Sequence, residues 1–421
     1  MRTLNPPRVV TGGVAFGGLL VFLFLVYSNP GNWFDGLEDI GFAKIAAGFA
    51  LAALGCSWLL YGRRLTVGGL PGVALCSLFV LVGFSALWSY WPRFTADTFV
   101  DGLKYLAIFL LVVNLVDSRR RLHLLVSAFA IASLIPTFGG LSSWARGEHL
   151  VDGDRVGWIG VFANPNDLAY YLVIGIAMSL TARDADARRW VRASYLLMTV
   201  PMGVVLLLTQ SRGGMLAAGA VLFLWVLRSA RRAPAIFGVA LALTCVLMLG
   251  PADVFSRRMQ SSQSHGEDIS ARGRLDAWRT GMNIAAERPM TGVGAGAFMI
   301  AWPDFAPGDA GPARTGHNTF IQLVSELGFP GLLLFCFGLF TGILGVQRAT
   351  RVPELSPYAR GIQCGLAGFA LCSLTIGIAF SWPVYLLLGA AYAIMRLERS
   401  QRIEVSNPAL SRLQLAHAGA A

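Results

Sequence analysis

Long apolar stretches, separated by short polar connections, make up most of this chain. A helix needs about 20 apolar residues to cross the hydrocarbon core of a bilayer. The stretches therefore predict an all-α, polytopic integral membrane protein with about 12 transmembrane helices and one large outward loop that is partly helical. The predicted spans are residues 12–28, 39–61, 70–90, 98–116, 121–143, 164–181, 190–209, 213–228, 233–250, 317–346, 357–378 and 380–397.

These spans divide the chain into four predicted parts. Residues 1–250 hold helices 1–9, residues 251–316 form the outward loop, residues 317–397 hold helices 10–12, and residues 398–421 are a cytoplasmic tail. The tenth span is interrupted by Gly328-Phe329-Pro330-Gly331, which predicts a kink. The first span is interpreted as retained rather than cleaved, because no small-residue cleavage site follows it.

Composition supports the membrane class and argues against others. Hydrophobic residues make up 55% of the chain and charged residues 14%, whereas soluble domains average about 25% charged residues. The net charge of +11 does not indicate nucleic-acid binding, because most surplus arginines lie in short connections between spans. All six cysteines lie in apolar stretches without metal-ligand spacing, which favours buried structural thiols.

The arginines also predict the orientation in the membrane. They cluster at the N-terminus and in every second connection, as in Arg119-Arg120-Arg121, and the connections between these are poor in basic residues. Basic connections face the cytoplasm. Both termini are therefore predicted to be cytoplasmic, and the loop 251–316 faces outward, which is the periplasm in a Gram-negative cell.

Arg212 departs from this pattern, because it lies in a very short outward connection between two apolar helices. An arginine at the membrane edge can serve merely as an anchor to lipid headgroups. However, Gln210 and Ser211 beside it are hydrogen-bond donors, and Gly213-Gly214 lets a ligand approach the next helix closely. A helix N-terminus attracts phosphate groups. The connection is therefore a candidate anion site.

The outward loop holds two further candidates, Arg272 and Arg274. Its seven arginines are matched by seven acidic residues, so any attraction for anions must be local. These two are favoured equally, because they are predicted to begin a helix that ends near Glu287. The glycines of residues 291–296 follow no strand, so they are not interpreted as a dinucleotide-binding fingerprint.

His317 is the candidate catalytic residue. A lone histidine is more often a satisfied polar group, but this one precedes Asn318 at the start of a span and follows an arginine-rich loop. A neutral imidazole can remove a hydroxyl proton near pH 7, and nearby arginines would keep it neutral. No pair of histidines or carboxylates has metal-ligand spacing, so neither a metal nor another cofactor is predicted.

Three motifs give these candidates a context. They are residues 162–169 (FANPNDLA), 209–214 (TQSRGG) and 273–278 (GRLDAW), the last followed by 289–298 (PMTGVGAGAF), by His317-Asn318 and by Glu326-Leu327-Gly328. In order and spacing they resemble the O-antigen ligase and polymerase superfamily of bacterial inner-membrane glycosyltransferases, particularly the lipopolysaccharide O-antigen ligases (WaaL type). The resemblance covers most of residues 150–345.

The resemblance implies a reaction without nucleotide or metal. A glycan carried on undecaprenyl diphosphate would be transferred to a sugar hydroxyl of lipid A–core in lipopolysaccharide assembly, at the periplasmic face of the inner membrane. Carried over by motif, Arg212 and Arg274 would bind the diphosphate, with Arg272 as the other choice in the loop, and His317 would serve the acceptor hydroxyl. Direct displacement would invert the anomeric carbon. The candidate supporting residues are Gln210, Asn318, Arg155 and Asn166. The expected partners are the lipid-linked glycan, the lipid A–core acceptor and membrane lipids.

Two alternatives stay open. An O-antigen polymerase, or a protein O-oligosaccharyltransferase of the same superfamily, would share the donor and differ only in the acceptor. A lipid-glycan flippase or secondary transporter belongs to another class. Such proteins place ionisable residues near the bilayer midplane, whereas this chain gathers its polar groups at one face.

Overall fold

The computed structural model describes residues 8–28, 30–32, 41–61, 65–151, 154–229, 236, 265–308 and 310–406. Most of these residues are helical, and a hairpin of two-residue strands, β1 (Leu150–Val151) and β2 (Arg155–Val156), is the one sheet among them. The helices are α1 (Arg8–Ser28), α2 (Phe42–Tyr61), α3 (Leu70–Phe84), α4 (Pro92–Leu115), α5 (Arg119–Ala132), α6 (Leu134–Arg146), α7 (Pro165–Ala185), α8 (Arg189–Leu208), α9 (Arg212–Arg228), α10 (His265–Glu287), α11 (Phe298–Phe305), α12 (Thr319–Gly345), α13 (Ser356–Cys372) and α14 (Trp382–Ser406).

Six helical stretches in the described residues are long and apolar enough to cross a membrane. They are Phe42–Leu59, Leu70–Leu87, Pro92–Leu115, Arg119–Arg146, Arg189–Leu208 and Thr319–Arg351, with Gly13–Ser28 as a shorter apolar helix. The chain is therefore an all-α membrane protein. The predicted ninth span, residues 233–250, lies outside the described residues apart from residue 236, so the number of twelve spans stays a prediction.

The predicted span 121–143 consists of two helices, α5 and α6, that meet at Ser133. The cause lies in Pro136, whose ring clashes with the carbonyl four residues earlier and which lacks an N–H group. That carbonyl belongs to Ala132, the last residue of α5. The Ser133 hydroxyl donates to the carbonyl oxygen of Phe129 at 2.9 Å, which stabilises the break.

Aromatic side chains hold the segment before α7 against the bundle. Tyr27 at the end of α1 stacks on Phe162 with ring centroids 5.7 Å apart, and it contacts Trp382 of α14 at 5.2 Å. Phe162 also contacts Tyr171 of α7 at 4.9 Å. Such pairs contribute about 0.5–1.5 kcal/mol each beyond the area they bury. The cluster therefore fixes where α7 begins, and α7 carries part of the candidate site.

The kink predicted in the tenth span is confirmed at Gly328, which has a φ of 67° inside α12. A break of this kind leaves helix carbonyls without intrahelical partners. The glycine-rich loop, residues 291–296, supplies the missing donors. The Val293 N–H donates to the Ser325 carbonyl and the Gly294 N–H to the Glu326 carbonyl, both at 2.9 Å. The loop and the kink therefore depend on each other.

The same loop also contacts the segment between α3 and α4. Trp88 Nε1 donates to the Thr291 carbonyl at 2.9 Å, and the Thr95 hydroxyl donates to the Ala295 carbonyl at 2.9 Å. The loop is thus held between two parts of the bundle. Behind it, α10 and α11 share a small apolar core of their own, made of Ala277, Ile284, Val293, Ala297, Phe298, Ala301, Trp302 and Phe305.

Replacing Gly292 by alanine is expected to destabilise this arrangement. Gly292 has a φ of 61°, and a Cβ atom there would overlap the backbone of Glu326. Holding a non-glycine residue in this region costs about 1–3 kcal/mol before the overlap is counted. Thermal unfolding in detergent should show a lower Tm for Gly292→Ala. Gly308→Ala is the control, because no atom lies within 4 Å of its added Cβ. Equal Tm values for both variants would contradict the expectation.

Candidate functional site

Three helices begin at one end of the bundle, and each has a polar residue as its N-cap. Asn164 caps α7, Ser211 caps α9 and Asn318 caps α12. Near the start of α9, a Cβ on Gly214 would meet the Cβ of Ala169 in the first turns of α7. Helix N-termini carry partial positive charge and N–H groups without intrahelical partners. Their convergence therefore favours negative charge at this end.

The turn at residues 373–375, between α13 and α14, connects Arg212 to His317. Gly213 packs so closely against this turn that a side chain at position 213 would overlap Thr375. On its other side, the Thr319 N–H donates to the Ser373 carbonyl at 2.8 Å. Arg212 and His317 each lie within two residues of a contact with the same turn, so both lie at the same end of the bundle.

Arg155 holds a second connection together. Its Nε donates to the Thr209 carbonyl at 3.1 Å, and its Nη2 donates to Asn166 Oδ1 at 3.0 Å. It therefore attaches the hairpin to the connection before α9 and to the first turn of α7. Two of the candidate supporting residues, Arg155 and Asn166, thus contact each other directly.

Arg274, rather than Arg272, approaches these arginines. Arg274 is half-buried, and this burial is the main cause that lowers its pKa below the usual arginine range. The positive charges of Arg155 and Arg212 lower the pKa of Arg274 further, because both lie near its guanidinium. Arg272 is exposed.

The expectation that Arg272 and Arg274 begin a helix is wrong at its start, although the predicted end at Glu287 is confirmed. Helix α10 begins at His265, so both arginines lie inside it. The sequence reason is that residues 265–271 contain no proline that would prevent the helix from starting earlier. Arg274 reaches the site because α10 packs along α12.

The sequence interpretation did not single out Arg314 as a site residue. Its guanidinium occupies the space that a side chain at position 273 would need. Gly273 immediately precedes Arg274 in the sequence. Arg314 also acts electrostatically on His317. Two signals pointed to it: a glycine directly before Arg274, and its position three residues before His317.

His317 lies half-buried in a strained backbone conformation, with a φ of 43°. Non-glycine residues adopt this region rarely, and those that do often cluster at functional sites. Its Nε2 lies 3.3 Å from the Thr315 hydroxyl. Burial first, and then the charges of Arg274 and Arg314, lower the pKa of His317. The imidazole is therefore neutral near pH 7 and can accept a proton.

This electrostatic arrangement predicts a shift in the pH dependence of activity. Removing the Arg314 charge in Arg314→Gln raises the pKa of His317, because one of the groups that disfavour the imidazolium is lost. The acidic limb of the pH–rate profile should therefore move to higher pH. Arg279→Gln is the matched control, because Arg279 is exposed and lies near Asp276 instead. An Arg314→Gln profile that coincides with the wild-type profile would refute the coupling.

The two remaining candidate amide residues, Asn318 and Gln210, have different surroundings. The Asn318 Oδ1 accepts from the Phe320 N–H at 2.9 Å, and its Nδ2 donates to the Leu374 carbonyl at 3.3 Å. Asn318 therefore orders the start of α12. Gln210 has a φ of 52°, and its buried Nε2 has no hydrogen-bond partner among the described residues. Within the same residues, no group of three or more His, Cys, Asp or Glu side chains could hold a metal ion.

A family model described as O-antigen ligase matches residues 197–336. This segment, 140 of the 421 residues, is similar to the O-antigen ligase family. The resemblance that the motifs indicated is thereby confirmed. Arg212, Arg274, Arg314 and His317 all lie inside the O-antigen ligase segment, whereas Arg155 lies before it.

A curated relative also aligns with the chain. It is the exopolysaccharide production protein ExoQ of Rhizobium meliloti (strain 1021), which is 26% identical over 291 residues. The match covers 61% of this chain and 61% of the relative. More than a third of each protein therefore lies outside the alignment.

Proposed function

We propose that this protein is an O-antigen ligase, a glycosyltransferase that moves a glycan from undecaprenyl diphosphate to a sugar hydroxyl of lipid A–core. The observation that carries the proposal is the convergence of Arg155, Arg212 and Arg274 beside Arg314 and His317. Several fixed cations next to one neutral imidazole suit a reaction with an anionic leaving group and a hydroxyl acceptor.

The arginines suit a diphosphate better than other side chains would. A guanidinium is planar, stays charged and donates two parallel hydrogen bonds to phosphate oxygens. The N-terminus of α9 directly follows Ser211 and adds backbone N–H groups next to Arg212. The buried Gln210 Nε2 has no partner among the described residues, so its side-chain amide is a further N–H donor. In this proposal these groups hold the diphosphate of the donor.

The proposed step forms one bond and breaks one. The acceptor oxygen forms a bond to the anomeric carbon, while the bond between that carbon and the diphosphate oxygen breaks. The electron pair leaves with undecaprenyl diphosphate, whose developing negative charge faces the arginines. The hydroxyl proton passes to His317. Direct displacement of this kind inverts the anomeric carbon, so a product with retained configuration would rule it out.

A second candidate function is a polymerase that joins repeat units on the lipid carrier. The observation that favours it is the aligned relative, which is named for exopolysaccharide production. Donor binding and proton removal would be the same in both cases. Only the acceptor differs, because a polymerase would use a sugar hydroxyl of another lipid-linked glycan.

Purified protein, undecaprenyl-linked glycan and lipid A–core provide the test. We expect glycan to appear on lipid A–core without nucleotide, ATP or a membrane gradient. Longer glycan on the lipid carrier, with lipid A–core unchanged, would favour the polymerase. Absence of any transfer with authentic donor and acceptor would reject both and favour a flippase or transporter.

A further inference from the structure

A cavity lies at the end of the bundle opposite the candidate active site. Its volume is about 440 Å³, and it lies where α7 and α9 end and where α8 and α13 begin. The lining includes four arginines, Arg183, Arg192, Arg228 and Arg360. Helix α9 separates this end from Arg212 by about 25 Å, at 1.5 Å per residue over its 17 residues. The cavity is therefore separate from the glycosyl-transfer site.

Among the described residues, one of these arginines is paired with a carboxylate that lines the cavity. Arg183 Nη1 lies 2.6 Å from Asp184 Oδ1, and its guanidinium stacks on Trp225 at 5.1 Å. Trp225 Nε1 donates to the other Asp184 oxygen at 2.8 Å. Among the described residues that line the cavity, Asp184 is the one acidic side chain. The negative charge of Asp184 is thus already paired with Arg183.

The other cations contact neutral groups. Arg360 donates to the Arg228 carbonyl oxygen, and Arg228 Nη1 lies 3.8 Å from the sulfur of Cys364. The Arg192 side chain makes no hydrogen bond or ion pair with the part of the chain that the structure describes. Three guanidinium groups therefore line one concave space without a described carboxylate between them.

The positive-inside pattern alone does not account for this arrangement. Arginines that only fix orientation remain solvated, as Arg188 does with 74% of its side chain exposed. Arg192, Arg228 and Arg360, by contrast, are each only partly exposed and line the same cavity. Withdrawing several like charges from water is costly unless an anion joins them.

We propose that this cavity binds a phosphate-bearing anion, supplied by the headgroup of an anionic phospholipid. Basic pockets between transmembrane helices bind such headgroups. Arg192, Arg228 and Arg360 hold the phosphate through charge-assisted hydrogen bonds. The arginine pattern predicts that this end is cytoplasmic, so the lipid comes from the inner leaflet.

The test measures binding of phosphatidylglycerol to the detergent-purified full chain by native mass spectrometry, with phosphatidylcholine as the neutral comparison. Arg192→Gln should weaken phosphatidylglycerol binding about tenfold, the effect of losing one strong charged hydrogen bond. Arg192→Lys should keep part of the affinity. Arg189→Gln is the matched control, because Arg189 stacks on Trp190 and does not line the cavity. The Tm of each variant without added lipid shows whether it is folded.

A second arm separates the two sources of phosphate. Inorganic phosphate is added in place of lipid, and the rise in Tm of the wild-type chain is recorded. A rise with phosphatidylglycerol alone, lost in Arg192→Gln, is the expected result. An equal rise with inorganic phosphate would overturn the lipid assignment. Equal phosphatidylglycerol binding by Arg192→Gln and Arg189→Gln would overturn the site itself. None of these outcomes depends on glycan transfer, so the proposed function is tested separately.

Discussion

Replacing His317 by alanine is expected to lower glycan transfer by about 10²–10⁴-fold, the usual contribution of a positioned general base. The imidazole is half-buried beside Arg274 and Arg314, which lower its pKa and keep it neutral. His149 is exposed and His123 lies on α5, so neither of these two histidines shares this setting. Transfer from undecaprenyl-linked glycan to lipid A–core, measured at saturating donor, gives the turnover of each variant.

The backbone at His317 requires a control, because its φ of 43° is strained for any residue with a side chain. His149→Ala makes the same chemical change at another histidine with positive φ, 52°, and should leave turnover unchanged. His317→Asn keeps a residue that tolerates this conformation but cannot act as a base near pH 7. We expect it to be as inactive as His317→Ala. Full turnover of either His317 variant in a folded protein would remove histidine from the mechanism.

Much of the bundle could be predicted from local sequence, because helix ends in this chain have local causes. Helices α7, α9 and α12 begin directly after the N-caps Asn164, Ser211 and Asn318. Helix α10 ends directly before Arg288-Pro289. The kink at Gly328 could likewise be predicted from the sequence Gly328-Phe329-Pro330-Gly331. Proline and capping residues act on their immediate neighbours, so periodicity and composition are enough to find them.

The remaining features depend on contacts between distant parts of the chain. Nothing local indicates that residues 291–296 would supply hydrogen bonds to the broken part of α12. The guanidinium of Arg314 lies beside Gly273, 41 positions earlier in the sequence, and only the packing of α10 on α12 brings the two together. Long-range pairing of this kind leaves a signal only after the fold is known.

The candidate site, like the fold, could be predicted only in part from the sequence. The motifs selected Arg212, Arg274 and His317, but the residues alone did not separate Arg272 from Arg274, since both were expected to begin the same helix. The burial of Arg274 and its closeness to Arg155 and Arg212 now favour it over the exposed Arg272. We therefore predict that Arg274, rather than Arg272, binds the diphosphate.

Replacing Arg274 by alanine is expected to lower turnover by about 10²–10³-fold, the usual cost of removing one donor that stabilises developing negative charge. Arg274→Lys should recover little of this loss, because a single ammonium cannot reproduce the two parallel hydrogen bonds of a guanidinium. Arg272→Ala and Arg279→Ala are matched controls on the same helix. Both side chains are exposed, and both variants should keep most of the activity.

Arg212 should show the same losses, and the double variant Arg212→Ala/Arg274→Ala tests whether the two residues act on one group. The charge of Arg212 lowers the pKa of Arg274, so the two guanidinium groups lie close enough to share a diphosphate. Residues that act as a unit lose less together than the product of their single effects. The losses should also appear in kcat/KM for the lipid-linked donor, with the KM for lipid A–core little changed. Undiminished turnover with lysine at both positions would show that these arginines do not bind the leaving group.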